Sequence, residues 1–263
     1  MIYFNAFVLA VVEGITEFLP VSSTGHLILV EKYLPITADP VSTFRHAYIE
    51  LIQLPAILAV VAYFWPKLWP FSQPPEQRRT TIRMWMYIAA AFAPAAILGA
   101  LFKSAIEERL FYELPIAVAL IAGGVALIVI ERRKHVERFG TVADIPLAIA
   151  VGIGLFQCLA FLPGTSRSAA TIVGALLLGA SRPAAAEFSF FLAVPTMLAV
   201  AAVNVLEYGL GFSAQEWSLL ALGSAVSFGT AYAAVAFLMR FIQRHDFTLF
   251  GVYRIVLGGI VLV

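Results

Sequence analysis

Two short stretches concentrate the reactive side chains of this sequence. The first, EGITEFLPVSSTGH (13–26), carries Glu13, Glu17, Ser22, Ser23, Thr24 and His26. The second, FLPGTSRS (161–168), carries Gly164, Thr165, Ser166, Arg167 and Ser168. Glu13 and Glu17 are spaced i,i+4 and fall on one helical face. Carboxylates side by side repel unless they share a proton or a cation, so the pair suits a divalent metal or general acid–base work. Hydroxyls after Pro20 can cap a following helix, whose free N–H groups form an anion site. The second stretch repeats that device and adds the Arg167 guanidinium, a fork that matches phosphate oxygens. An anion cradle, a fixed cation, a hydroxyl nucleophile, an imidazole and two carboxylates together suit phosphoryl transfer.

Each part also has a plainer reading. A Ser/Thr cluster after proline serves as an N-cap, a membrane histidine serves as a structural hydrogen-bonder, and Arg167 neutralises Glu13 or Glu17 as a buried pair. Arg254, beside Tyr253, fits a structural role better than a chemical one. The coincidence of all the parts in two matching stretches outweighs these separate readings.

The elements that must position these groups are membrane helices. Of 263 residues, 61% are hydrophobic and only 13% charged, and the mean hydropathy is +0.91, against about one-quarter charged for a soluble domain. Long apolar runs bounded by charged clusters imply helices rather than a barrel. The net charge of +1 says nothing about partners, but a nucleic-acid reader would show a basic patch, and the sequence has none. A lone Cys158 forms no intrachain disulfide. The opening MIYFNAFVLAVVEG lacks the basic segment and cleavage site of a signal peptide, so it is expected to stay in the mature chain.

Hydropathy places six spans at about 47–65, 81–102, 114–131, 183–205, 217–239 and 247–263. Two further regions, 1–33 and 144–180, are apolar runs broken near the middle by proline and a Ser/Thr/Gly cluster. Such breaks are tolerated at membrane depth where they are buried or line a wet cavity, so both regions read as re-entrant hairpins. Phe18-Leu19-Pro20 matches Phe161-Leu162-Pro163, which sets Ser22-Ser23 on Thr165-Ser166, and PAILAVVA (55–62) resembles PTMLAVAA (195–202). The expected fold is thus an all-α integral membrane protein with an inverted-topology repeat. Each half, 1–131 and 144–263, carries one hairpin and three spans, and the two breaks meet near the midplane.

Charge agrees with this topology. Lys67, Arg78, Arg79, Arg83, Arg132, Arg133, Lys134, Arg138, Arg182, Arg240 and Arg244 fall on one side, and only Lys32, Arg45, Lys103 and Arg109 on the other. The richer side is expected to be cytoplasmic, which turns both termini and the mouth of the first hairpin outward. Of the remaining cations, Arg167 and Arg254 lie inside apolar segments. An ionisable group at the bilayer centre costs about 2.5–3.5 kcal/mol, so it defaults to a functional candidate. The small-residue segment AAAFAPAAILGA (89–100) is suited to tight packing within the chain or in a homodimer.

EGITEFLPVSSTGHL together with LPGTSRSAATI resembles the paired signature of the bacterial undecaprenyl pyrophosphate phosphatases, the bacitracin-resistance family. IQLPAILAVV and AAEFSFFLAVP extend the likeness over essentially the whole chain, with one departure at Ala169, where glycine is expected after Ser-Arg-Ser. The resemblance implies an enzyme of the inner membrane, opening to the periplasmic side. Its reaction would convert undecaprenyl pyrophosphate to the monophosphate and inorganic phosphate, renewing the lipid carrier for peptidoglycan. Carried over by position, Glu13 and Glu17 match the essential acidic pair, Ser23 and His26 the proposed nucleophile and base, and Arg167 the phosphate-binding arginine. Dependence on Mg²⁺ or Ca²⁺ follows from the same resemblance, with Glu13 and Glu17 as the metal's carboxylates. Ser22, Thr24, Gly164, Thr165, Ser166 and Ser168 complete the expected phosphate cradle. The competing class is a polyprenyl-phosphate transporter or flippase, since inverted repeats with broken helices are also the transporter pattern. A carrier needs charge complementarity but no attacking hydroxyl.

Overall fold

The computed structural model describes residues 1–37, 42–110, 112–133, 136–209 and 211–262, without the side chains of 103–110. Among these residues the chain is helical, with no strand and one isolated bridge between Phe139 and Ala180. Helix α1 (Ile2–Thr16) and α2 (Ser23–Tyr33) form the first broken hairpin. A bent pair follows, α3 (Thr43–Leu51) and α4 (Gln53–Tyr63), then a single turn α5 (Trp65–Leu68) and the long α6 (Pro75–Leu110) and α7 (Glu113–Arg132). The chain continues with α8 (Leu147–Gln157), α9 (Arg167–Leu177), α10 (Arg182–Tyr208), α11 (Ala214–Phe241) and α12 (Thr248–Val261).

The segments 43–63, 75–102, 113–132, 182–208 and 214–241 are long and apolar enough to cross a membrane. The bend between α3 and α4 has a local cause. Pro55 offers no N–H to the carbonyl of Leu51, and the neighbouring carbonyl of Ile52 accepts instead from the Ser227 hydroxyl at 2.8 Å. The sixth expected span, 247–263, departs from expectation: α12 is a helix of 14 residues. At 1.5 Å per residue it reaches about 21 Å, short of the roughly 30 Å hydrocarbon core. Its start is fixed by Asp246, whose carboxylate accepts from the backbone N–H of Thr248 at 3.0 Å. It is pressed against α7 instead. A methyl group on Gly124 would lie 2.5 Å from the carbonyl of Gly251, and one on Gly258 would lie 2.9 Å from that of Ala117. Small residues let the two backbones approach this closely.

In the first hairpin α1 rests on α11, and in the second α8 rests on α6, while α7 packs on α12 and α4 on α10. Each hairpin therefore leans on a span of the other half. Part of AAAFAPAAILGA packs within the chain, where the carbonyl of Ala91 lies 2.0 Å from where a Cβ on Gly154 would stand. Four ion pairs tie the helix ends and loops together. Lys67 pairs with Glu187 at 2.9 Å and Arg182 with Glu131 at 2.6 Å. Arg45 pairs with Glu31, and Lys32 approaches Glu113 at 4.0 Å. Lys134 and the side chains of Lys103 and Arg109 lie outside the described residues.

Candidate active site

Both hairpins turn at a serine in the left-handed region. Ser22 has φ 71° and Ser166 φ 67°, the only non-glycine residues with positive φ among those described. Each is the N-cap of the helix that leaves its break, with the hydroxyl accepting from the backbone N–H three residues on: Gly25 at 3.4 Å and Ala169 at 3.3 Å. The cap explains the conformation. A serine oxygen satisfies one of the orphan N–H groups of a new helix, which offsets part of the backbone strain. The caps also fix the repeat register. Ser22 corresponds to Ser166, so Ser23 corresponds to Arg167, one residue beyond the pairing that the Phe-Leu-Pro match gives. The second break contains one extra residue after its proline.

The two turns are joined directly. Ser168 donates to the carbonyl of Leu19 at 3.0 Å. Arg254, fully buried, donates to Pro20 at 3.3 Å in the first break and to Gly164 at 3.0 Å in the second, and to the α7 carbonyls of Leu120 at 3.3 Å and Ala119 at 3.2 Å. A guanidinium bonded to four carbonyls has its charge dispersed over backbone dipoles, which makes its burial tolerable. Gly164 admits no other residue at this junction. Its φ is 88°, and a Cβ there would lie 2.4 Å from the carbonyl of Ile116.

Between the turns lies a cavity of about 260 Å³, lined by residues of both breaks. Glu17, Ser22, Ser23 and Thr24 come from the first, and Gly164, Ser166 and Arg167 from the second. Glu17 is the shared acceptor: one carboxylate oxygen takes the Ser23 hydroxyl at 2.6 Å and the other the Arg167 guanidinium at 3.3 Å. Glu17 and Arg167 side chains are each 10% exposed. Arg167 also donates to the carbonyl of Ser189 at 3.2 Å and lies 5.9 Å from the centre of the Phe18 ring. Its Nε has no partner. The guanidinium is thereby aimed, with a donor to spare.

The other expected residues stand apart from the cavity wall. Glu13 is fully buried one turn behind Glu17, with both carboxylate oxygens unpartnered. His26 donates from Nδ1 to the carbonyl of Ser22 at 2.7 Å, and its Nε2 accepts from the Tyr253 hydroxyl at 2.6 Å. In this arrangement the hydroxyl of Ser23 is on Glu17, and both imidazole nitrogens of His26 are engaged elsewhere. Ser168 is fully buried and bridges the breaks, outside the residues that line the cavity. Thr165 lies within the second turn, its N–H on the carbonyl of Leu162 at 3.1 Å, and does not line the cavity. Ala169 is buried, its N–H serving the cap.

Three contributors carried weaker sequence signals. Arg254 stood out as a buried charge, but its backbone partners have no sequence signature. Gln53 and Gln157 also line the cavity, and an uncharged amide raises little notice in an apolar run. The donor set accommodates a hard cation only in part. Glu13 offers two free, buried oxygens beside Glu17, whereas no group of three or more His, Cys, Asp or Glu residues forms among the described residues. This composition fits an ion such as Mg²⁺, which takes one or two carboxylates and completes its shell with water and substrate phosphates.

The match to the family described as Bacitracin resistance protein BacA covers residues 6–260. The chain belongs to that family. It is 44% identical over 261 residues to an "Undecaprenyl-diphosphatase 1" of Clostridioides difficile, spanning 98% of this chain and 94% of the relative. An "Undecaprenyl-diphosphatase" of Enterococcus faecalis is 47% identical, over 97% of this chain and 94% of the relative. One of Fusobacterium nucleatum is 48% identical, over 97% and 98%.

Proposed function

We propose that the protein is an undecaprenyl-diphosphate phosphatase that releases inorganic phosphate in the cavity between the two breaks. The observation that carries this reading is Glu17 bonded at once to a hydroxyl from one break and a guanidinium from the other. A carrier needs the guanidinium but gains nothing from a hydroxyl held on a carboxylate, and the relatives' names favour the enzyme. The cavity also has an apolar lip of Ala95, Phe161, Met197 and Val200. This lip gives the polyprenyl tail a path from the bilayer while the diphosphate reaches the polar floor.

In the proposed reaction Arg167 and the N–H groups at the starts of α2 and α9 grip the phosphate oxygens. The Ser23 hydroxyl attacks the terminal phosphorus and passes its proton to Glu17. The Oγ–P bond forms as the bridging P–O bond breaks, and the lipid monophosphate departs. Water then cleaves the phosphoserine, yielding inorganic phosphate and restoring the hydroxyl. Direct attack by water held on Glu17 uses the same residues and gives the same products. His26 serves this scheme by fixing the Ser22 carbonyl and hence the turn. A divalent cation, Mg²⁺ or Ca²⁺, held by Glu13 and Glu17, would neutralise charge on the diphosphate.

The arrangement of the fold as an inverted repeat is part of the same proposal. It is supported by the matched caps and by the exchange of partners in which α1 leans on α11 and α8 on α6. Hairpins of 15 and 11 residues, and of two 11-residue helices, are too short to cross and suit re-entry. With the Arg-rich loops cytoplasmic, the site opens to the outer face of a bacterial inner membrane. The test is phosphate release from undecaprenyl diphosphate by the purified protein with Mg²⁺ or Ca²⁺. Vigorous release that ends in Glu17→Gln supports the enzyme, and none from the wild type refutes it.

A further inference from the structure

Two buried polar residues stand on the helices that enter the breaks, Glu13 on α1 and Gln157 on α8. Both are buried, Glu13 fully and Gln157 with 2% exposure, and both keep polar atoms without a partner. In Glu13 these are the two carboxylate oxygens; in Gln157 it is the amide nitrogen Nε2. The carbonyl end of Gln157 is held by the Thr196 hydroxyl at 3.3 Å. The residue also lines the cavity shared by Glu17, Ser23 and Arg167.

An unpaired amide in such a place calls for a ligand. Leaving it buried without a partner is costly, because the donor loses its hydrogen bond to water and gains none. An acceptor in the cavity would recover that cost. Charge indicates which acceptor. The cavity lining carries one carboxylate, Glu17, and one guanidinium, Arg167, so the pair nearly cancels. A phosphate group brings about 1.5–2 negative charges near neutral pH. Neutral N–H donors satisfy its oxygens without adding a second buried cation that would compete for Glu17.

We propose that the Gln157 carboxamide is a substrate-contacting residue, donating from Nε2 to a non-bridging oxygen of the bound diphosphate, with Thr196 setting the amide's orientation. The inference rests on the phosphatase reading for the identity of the ligand.

The test uses the full-length purified protein, with methylenediphosphonate as a non-hydrolysable probe whose binding is measured directly, beside kcat and KM for undecaprenyl diphosphate. Gln157→Met keeps the length and packing of the side chain and removes the donor. The expected result is a fall in kcat/KM on the order of 10- to 100-fold, as for loss of an oriented oxyanion donor. Probe affinity should weaken in step, with the melting temperature held. Thr196→Val, which frees the amide but leaves it in place, should shift both readouts in the same direction by less. Wild-type probe affinity and wild-type kcat/KM in a folded Gln157→Met protein would overturn the assignment. If Gln157→Met fails to fold, unchanged probe affinity in Thr196→Val overturns it instead. Absence of phosphate release by the wild type refutes the phosphatase reading alone, because the probe still reports whether Gln157 binds a diphosphate.

Discussion

The two breaks share a backbone and differ in chemistry. Each turns on a left-handed serine that caps its outgoing helix, and each gives a carbonyl to Arg254. At the position after each cap serine, however, the first break carries Ser23 and the second Arg167. The first break carries the carboxylates and the hydroxyl, and the second a guanidinium and an amide. In the proposed reaction both turns cradle the phosphates, and the residues that differ between them divide the reactive and the anion-binding work.

The largest expected effects come from the bonds that cross between breaks. Glu17→Gln should lower phosphate release by at least about 100-fold, since it removes the acceptor of the Ser23 proton. Arg167→Lys should not rescue activity, because an ammonium cannot reproduce the guanidinium fork. A Glu17→Gln protein with near-normal turnover would show that the acidic side is not the reactive one. Gly164→Ala should destabilise the protein by more than about 1 kcal/mol, since it forces both a clash with Ile116 and a disfavoured φ. Thermal unfolding in detergent reads this, and an unchanged midpoint would mean that the second turn can relax.

Smaller effects sharpen the claim that the turns are equivalent. Ser22→Ala and Ser166→Ala should each cost about 1–2 kcal/mol, combining lost capping with strain at positive φ. Glycine at either position should cost clearly less than alanine. Very different costs at the two sites would undo the backbone equivalence. Ser168→Ala should lose about 1 kcal/mol with its bond to Leu19, seen as a modest drop in melting temperature.

Most of this architecture is legible in the sequence because hydropathy and proline act locally. The five long spans follow from their apolar runs, and both breaks follow from Pro20 and Pro163 with their hydroxyl clusters. The region expected as a sixth span is a helix of 14 residues among those described, packed on α7 through glycines whose role hydropathy does not register. The repeat register slipped by one residue because Phe-Leu-Pro identity anchors the match before the turn, whereas the cap serine fixes it after. The bonding of Arg254 and the place of Gln157 are hidden from the sequence for a shared reason. What defines them is a partner distant in the chain, four backbone carbonyls for one and a cavity for the other. The family resemblance matches His26 to Ser23 as base to nucleophile, yet one helical turn brings its ring to the Ser22 carbonyl and to Tyr253.

The most direct measurement is a double-mutant cycle on phosphate release from undecaprenyl diphosphate, comparing Glu17→Gln, Arg167→Gln and the two together. If both breaks serve one reaction centre, the double variant should be scarcely slower than the worse single variant, because the residues act as a unit. Losses that simply multiply would mean that the acidic and anion-binding turns work independently, and the account of a joint site would be contradicted.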